Sequence, residues 1–576
     1  MTSLLRSTRL MAVGTIASRA TGFLRAAVLV VVLGVQGVGD AFNVANTAPN
    51  IIYELLLGGV LTSVVVPLLV RAAKSDEDGG EAYAQRLLSL TVLVLGGAAL
   101  LLVLFSPLII DAYVSADTAP ATRDLAVVLA RFFLPQVLFY GVGAVLGAYL
   151  NTRGRFGPPM WAPVLNNVVV IVTGLLFLLL PGPDRLSAST ITDTQVAVLG
   201  IGVTLGIVAQ TLALLPALRA TGFRFRLRLD LRGSGLAQAG RLARWTAVFV
   251  VCNQLAYLVV VRLATGASAD VPGRGYTSYV YAFLLWQLPH AVVAVSVITA
   301  LLPAMSGAAA DGRMDTLRDL LNRGLRLTVS VLVPAAVAYV VLGRSIATLA
   351  FGHGETSVAE ARFIGVLLGI FALGLVAFST YQLQLRAFYA LQDTRTPALI
   401  NVWVNVTLVV VDLVLYALLP RDWKVAGLAG GQAASFLVGL LVCSRVLSRR
   451  LGGLDHAVVV RTAVRCLAAA VLPGVAAGLV GAAVARTVGT GPLGALLTLV
   501  LGGAVLLLGY LALARRLRVR EVEQALAPVL SRLGRGRTRG DGAGGTASDT
   551  GAGTTAGGGG GPGASSPGLE EPTPDR

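Results

Sequence analysis

Long apolar runs recur along almost all of this 576-residue chain, separated by short polar connections. The clearest, LLSLTVLVLGGAALLLVLFSPLII at 87–110, contains no charged residue. It exceeds the roughly 20 residues that a helix needs to cross a bilayer. The pattern predicts fourteen membrane-spanning helices, centred in 8–34, 41–70, 87–110, 124–150, 160–180, 196–218, 243–264, 276–305, 319–342, 358–390, 397–419, 425–447, 461–484 and 492–514. The second and eighth runs contain prolines, Pro49 and Pro67, then Pro289 and Pro303. Both predict a kink or break, which a membrane tolerates only where neighbouring protein or a wet cavity satisfies the freed backbone groups. The expected fold class is an all-α polytopic membrane protein.

One stretch departs from the pattern. ASRATGFLRAAVLVV, residues 17–31, carries Arg19 and Arg25 inside an otherwise apolar helix, and the next acid is Asp40. A charge at bilayer depth costs several kcal/mol unless it is paired, snorkels to the surface or faces water. Arg6 and Arg9 precede the run as they would in a signal peptide. The internal arginines and the missing small-x-small cleavage site instead point to a retained first helix. Arg19 and Arg25 lie six residues apart, so on an ideal helix they diverge by about 120°.

Composition agrees with a membrane protein. Hydrophobic residues make up 55% of the chain and charged residues 13%, against about 25% charged in soluble domains. With the N-terminus inside, the loops predicted to be cytoplasmic hold 29 of the 46 Lys and Arg residues and the opposite loops about 10. This is the positive-inside bias, with both termini cytoplasmic. The 219–244 connection alone holds Arg219, Arg224, Arg226, Arg228, Arg232, Arg241 and Arg244. Between two spans such a stretch reads as a topology determinant lying against anionic lipid, not as a nucleic-acid surface. From about residue 531 the chain turns to Gly, Ala, Ser, Thr and Pro, the composition of a disordered, dispensable cytoplasmic tail.

Cys252, Cys443 and Cys466 show no ligand spacing, and His290, His353 and His456 are isolated in sequence. No metal site is expected, and no nucleotide-binding or hydrolase motif occurs. The chain is therefore not expected to be an enzyme.

The sequence repeats itself. PNIIYELLLGGVLTSVVVP from Pro49 is echoed by PHAVVAVSVITALLP from Pro289, an offset of 240 residues. At the same offset, YLNTRGRFGPPMWAPVLNN from Tyr149 is echoed by YALQDTRTPALINVWVN from Tyr389. The implied organisation is an N-terminal lobe of spans 1–6 (1–220) and a C-terminal lobe of spans 7–12 (221–450). Spans 13–14 (451–518) and a tail (519–576) follow. Transporters commonly bind substrate between such repeats and rock one half against the other.

The segments SRATGFLR (18–25), DAFNVANTAPN (40–50), LNTRGRFGPPMWAPVLNN (150–167) and FYALQDTRTP (388–397) carry a resemblance to a known family. The chain resembles the MurJ/MviN lipid II flippases of the multidrug/oligosaccharidyl-lipid/polysaccharide exporter superfamily over about residues 1–515. The resemblance implies two six-helix lobes around a central cavity, with spans 13–14 forming a lipid-facing groove. It implies transport of lipid II, the undecaprenyl-diphosphate-linked disaccharide-peptide, from the inner to the outer leaflet of the bacterial cytoplasmic membrane. Arg19 and Arg25 match first-helix arginines that line the family's cavity, and Asp40 matches an acid opening its second helix. The chemistry fits, because a guanidinium presents a permanent charge and a fork matched to phosphate oxygens.

Some positions depart from the family pattern. Paired arginines and a glutamate in the second helix are replaced by Tyr53, Glu54 and Gly58, and charged positions of the eighth by Leu284 and Gln287. The second lobe's share of a clamp then falls to Arg262 or Arg386, or the first lobe holds the headgroup alone. Glu54 is a candidate partner of Arg19 or Arg25, and with Asp40 completes the expected substrate-binding set. Asn401, Asn405 and Asp412 share one face of the eleventh span. They form a candidate cation site for Na⁺, with interhelical hydrogen bonding as the plainer reading. No cofactor is expected; Na⁺ or the membrane potential is the expected driving force. Expected partners are lipid II, membrane lipids and cell-wall synthesis proteins, with no nucleic acid. Rival functions are a polysaccharide-unit flippase or cation-coupled drug antiporter of the same superfamily, and an inactive cell-wall scaffold.

Overall fold

The computed structural model describes residues 2–54, 66–183, 185–229 and 236–522, and all regular structure among them is helical. The first half contains α1 (Thr2–Leu33), α2 (Gly37–Glu54), α3 (Val66–Ser75), α4 (Glu81–Leu104), α5 (Ser106–Tyr113), α6 (Pro120–Phe133), α7 (Gln136–Thr152), α8 (Gly157–Leu179), α9 (Asp193–Leu212) and α10 (Leu215–Arg219). The second contains α11 (Leu236–Asp270), α12 (Tyr276–Pro289), α13 (Val295–Ala310), α14 (Met314–Phe351), α15 (Val358–Ala372), α16 (Leu375–Ala390), α17 (Arg395–Leu418) and α18 (Lys424–Arg450). Two further helices, α19 (His456–Thr487) and α20 (Pro492–Arg516), complete the bundle.

Twelve helical segments among the described residues are long and apolar enough to cross a membrane. The pair α15–α16, bent by 50°, makes a thirteenth. The second predicted span falls on α2 and α3, and residues 55–65 between them lie outside the described residues. So does the predicted tail from residue 523 onward. Large apolar side chains face outward, Leu179 at 80% and Leu418 at 75% exposure, as expected where the solvent is lipid. Small residues lie inside instead. Gly343 of α14 and Gly365 of α15 bring their backbones into contact, and a Cβ on either would collide. Close approach through small residues is a common way for membrane helices to associate without a hydrophobic driving force.

Packing repeats from one half to the other. α1 packs on α8 and α8 on α9, as α11 packs on α17 and α17 on α18. α2 packs on α6 as α12 does on α15, and α7 on α9 as α16 on α18. These are the partners that a duplicated six-helix unit requires.

Proline breaks are satisfied internally. Pro289 ends α12, and a π-helical turn, His290–Ala294, separates it from α13. A proline lacks the N–H that would serve the carbonyl four residues earlier. For Pro289 that carbonyl is Leu285, and the Tyr339 hydroxyl donates to it at 2.6 Å. The same solution recurs at Pro334 within α14, where the Tyr510 hydroxyl from α20 donates to the Ser330 carbonyl at 2.6 Å. α20 is thus docked to the second lobe by a proline-freed acceptor. Where Pro135 separates α6 from α7, the Thr204 hydroxyl donates to the Phe132 carbonyl at 2.7 Å.

The motifs that carry the family resemblance are built into turns. Asp393 accepts from the Thr396 N–H at 2.9 Å and hydroxyl at 2.6 Å, and pairs with Arg450 Nη1 at 2.6 Å. In the first half, Arg153 Nη2 donates to the Gly79 carbonyl at 3.1 Å. These residues join helix ends and lie away from the first-helix arginines in sequence.

The halves are tied together at one end of the bundle. The Glu355 N–H donates to the Val31 carbonyl at 2.9 Å, the Thr356 hydroxyl to the Val30 carbonyl at 3.0 Å, and Gln36 Nε2 to Glu360 at 2.7 Å. Asp40 is central to this closure. Its carboxylate is 4% exposed and accepts from the Thr277 N–H at 2.9 Å, the Thr277 hydroxyl at 2.6 Å and the Ser268 hydroxyl. Thr277 lies in the first turn of α12, whose own cap position is Gly275, with no side chain to offer. Asp40 therefore caps α12 from the other half of the molecule, supplying the acceptor and the negative charge that a helix start favours.

Removing this latch should loosen that end. Hydrogen bonds to a charged acceptor contribute roughly 1.5–3 kcal/mol each, so Asp40→Ala should shift the closed population about tenfold or more. With Gln36→Cys and Glu360→Cys as reporters, disulfide yield across the closure should fall in the Asp40→Ala background. Unchanged yield would show that Asp40 does not hold the halves together.

Candidate functional site

α1 is fixed in rotation by α8. Asn167 Nδ2 donates to the Ser18 carbonyl at 3.1 Å and to the Thr21 hydroxyl at 3.0 Å. This anchors the turn between Arg19 and Arg25. Arg25 is half-buried, and its Nε is fully buried without a hydrogen-bond partner. Arg19 is exposed.

The second half contributes Arg386 of α16. It is half-buried, its Nε is buried and unpartnered, and its guanidinium lies 5.5 Å from the Tyr389 ring centroid. His290 Nδ1 meets the Ser379 hydroxyl at 2.9 Å, and its ring packs 4.5 Å from Phe378. The histidine that is isolated in sequence thus finds its partners on α16. Behind it, Trp286, Phe378 and Phe436 form an aromatic wall with centroids 4.5–5.6 Å apart.

None of Arg19, Arg25 and Arg386 has an ion-pair partner among the described residues. The acids expected beside the first-helix arginines are engaged elsewhere. Asp40 caps α12, and Glu54 accepts from Gln254 Nε2 at 3.4 Å. The Arg–Asp40 and Arg–Glu54 pairs are therefore not formed. Arg262, the other second-half candidate, is also spoken for. Its Nη1 donates to the carbonyls of Asp111 at 2.9 Å, Ala112 at 3.3 Å and Val114 at 2.9 Å, closing the end of α5. Arg386 alone of the two retains a free guanidinium edge.

The polar face of α17 divides into two parts. Asn401 Nδ2 donates to the Phe249 carbonyl at 3.1 Å and to Asn253 Oδ1 at 2.9 Å. Asn405 Nδ2 donates to the same Asn253 oxygen at 2.8 Å. Both staple α17 to α11, as the plainer reading expected. Asp412 does not join them. Seven residues beyond Asn405, it stands about 10 Å further along the helix, against Gly431 of α18, where a Cβ would collide with its carboxylate. It is fully buried, and neither of its oxygens has a hydrogen-bond partner. The three residues cannot share one small cation; Asp412 is the one whose charge lacks compensation. No group of three or more His, Cys, Asp or Glu side chains suited to a metal occurs among the described residues.

The arrangement is a set of positive charges without ion-pair partners among the described residues, contributed by both halves of a bundle whose halves are tied together at one end. Chemically it suits a polyanion, because half-buried guanidiniums without carboxylates favour a ligand that brings its own negative charge.

Comparison with known proteins identifies the family. A family model described as "Lipid II flippase MurJ" matches residues 29–499. A probable lipid II flippase MurJ of Rhizobium meliloti (strain 1021) is 28% identical over 465 residues, covering 80% of this chain and 83% of its own. A lipid II flippase MurJ of Burkholderia cenocepacia is 26% identical over 447 residues, covering 76% and 81%. Among solved structures, lipid II flippase MurJ in an inward closed conformation superposes with a TM-score of 0.69 at 20% identity, covering 88% of this chain and 99% of that one. An inward-facing MATE family transporter of the MOP superfamily reaches 0.63 at 16% identity, covering 75% and 94%. These structures share the fold. On the extent of the family match, with its motifs and its helices accounted for, this chain belongs to the lipid II flippase MurJ family.

Proposed function

We propose that the protein carries lipid II from the inner to the outer leaflet of the bacterial cytoplasmic membrane by alternating access of its two lobes. The observation that carries this reading is the pair of unpartnered guanidiniums, Arg25 and Arg386, contributed by opposite lobes. A diphosphate bridging them would compensate both charges at once, while the polyprenyl chain stays in lipid. The end latched by Asp40 would be the periplasmic gate, so the protein in this state would load from the cytoplasm. The wider coverage by the flippase structure than by the antiporter, 88% against 75% of this chain, supports a flippase over a drug antiporter.

For coupling, we propose Asp412 in place of the three-residue set. A buried carboxylate without donors requires a proton or a cation, and Na⁺ would supply that charge at its two oxygens. Asp412→Asn should make flipping independent of the ion gradient, as read in proteoliposomes with imposed Na⁺ or H⁺ gradients. Undiminished gradient dependence would remove Asp412 from coupling.

The clamp is tested by substitution at normal membrane abundance. Arg25→Ala and Arg386→Ala should each lower precursor flipping about tenfold or more, since charge-assisted bidentate contacts are among the strong ones. Arg25→Lys should recover only part, because lysine keeps the charge and loses the fork. Flipping is read by cleavage of the exposed headgroup with an added enzyme, together with rescue of wall growth in cells depleted of their own flippase. Full activity of Arg25→Ala would refute the clamp.

Topology is a separate expectation, with both termini cytoplasmic. Cysteines at Gly37 and Arg421 should react with an impermeant reagent from outside, and those at Arg153, Arg228 and Arg449 should not. Outside labelling at Arg228 would invert the arrangement.

A further inference from the structure

A cavity lies at the end of α2 opposite the Asp40 latch. It measures about 340 Å³ and opens between α2, α11 and the turn joining α16 to α17. Tyr53, Glu54, Trp245, Asn253, Gln254 and Tyr389 are among its walls, so both halves build it. The size suits a portion of a headgroup.

Its chemistry differs from that of the arginine clamp. Glu54 is exposed to the cavity, has no ion-pair partner among the described residues, and accepts only the 3.4 Å bond from Gln254. Two cations border the Trp245 wall, and neither forms an ion pair with Glu54 among the described residues. The guanidiniums of Arg244 and Arg395 lie over the Trp245 ring, 5.6 and 5.4 Å from its centroid. Asn253 spends its oxygen on Asn401 and Asn405, and its Nδ2 has no partner among the described residues. The cavity thus presents one unneutralised carboxylate beside a free amide donor and aromatic rings. That combination fits an ammonium group carried on an amide-rich chain.

The cavity adjoins the second-half arginine of the clamp. Tyr389 is one of its walls, and the Arg386 guanidinium lies 5.5 Å from the centroid of that ring. A cargo whose diphosphate rests on Arg386 can pass its headgroup over Tyr389 into the cavity. We infer that the Glu54 cavity is a subsite for a cationic amino group on the peptide of the cargo headgroup, recognised by the Glu54 carboxylate. This inference rests on the flippase reading and adds a selectivity element to it. The diphosphate provides anchoring, and Glu54 distinguishes headgroups by charge.

The test uses the purified full-length protein and three probes. These are a short-chain polyprenyl-diphosphate precursor with a free peptide amine, the same precursor N-acetylated at that amine, and the polyprenyl diphosphate without sugar or peptide. Binding is measured by native mass spectrometry and thermophoresis. For the unmodified protein, acetylation should weaken binding about tenfold, the scale of one charge-assisted contact. Glu54→Gln should bind both precursors equally, at the level of the acetylated form, and Glu54→Asp should keep part of the preference. Thermal unfolding of both variants confirms that they are folded, which an exposed, near-isosteric change favours. Equal binding of the two precursors by the unmodified protein, or an undiminished preference in Glu54→Gln, would overturn the subsite while leaving the flippase reading intact. Failure of the folded protein to bind any of the three probes would overturn the flippase reading and the subsite with it.

Discussion

A guanidinium inside a membrane protein must find an anion, a carbonyl, or water, because hydrocarbon offers it nothing. The arginines here separate on that criterion. Arg262 uses three carbonyls at the end of α5 and is structural. Arg450 and Arg153 tie helix ends together through Asp393 and Gly79. Arg25 and Arg386 each keep a buried Nε without a partner. A charge left in that state weakens the protein unless something compensates it, and a diphosphate cargo is a reason to leave it so. The acids that would have neutralised Arg25 are held apart from it by specific bonds, Asp40 by Thr277 and Ser268, Glu54 by Gln254.

The rest of the architecture follows from the same demand for internal satisfaction. Prolines that bend the spans release carbonyls, and Tyr339 and Tyr510 reach across to cover two of them. Broken helices therefore become packing sites, which is how α20 joins the second lobe. At the latch, an uncapped helix start in one lobe is satisfied by an acid in the other. Such a bond is intact only while that end is closed, so helix capping and gate position become one variable. A cycle that opens this end must find water or other donors for Asp40 and the start of α12.

Much of this was legible in the sequence because a bilayer writes long apolar runs into any chain that crosses it. Run length located the spans, and Pro289 marked where the eighth span is interrupted, whereas α13 runs on through Pro303. The 240-residue offset anticipated the packing shared by α1–α8 and α11–α17. The arginines stood out by their cost. Partner identity did not, because it depends on contacts between distant segments. Asp40 meets Thr277 across 237 residues of chain, and nothing local announces that it caps a helix in the other lobe. The spacing of Asn401, Asn405 and Asp412 correctly put them on one face, yet their distribution along the helix axis assigned the first two to Asn253 and left Asp412 alone. His290 looked isolated because its neighbours, Ser379 and Phe378, come from another helix.

The central claim is contact between the lobe arginines and a phosphate. It is tested most directly by solid-state NMR of the reconstituted protein, labelled with ¹⁵N at arginine and loaded with a lipid-linked diphosphate precursor. ¹⁵N–³¹P dephasing should report guanidinium nitrogens within about 4 Å of phosphorus, the range of a direct charge-assisted hydrogen bond. The signal should decline in Arg25→Lys and in Arg386→Lys at equal cargo occupancy. Bound precursor with no arginine dephasing, or dephasing unchanged in both variants, would contradict the account.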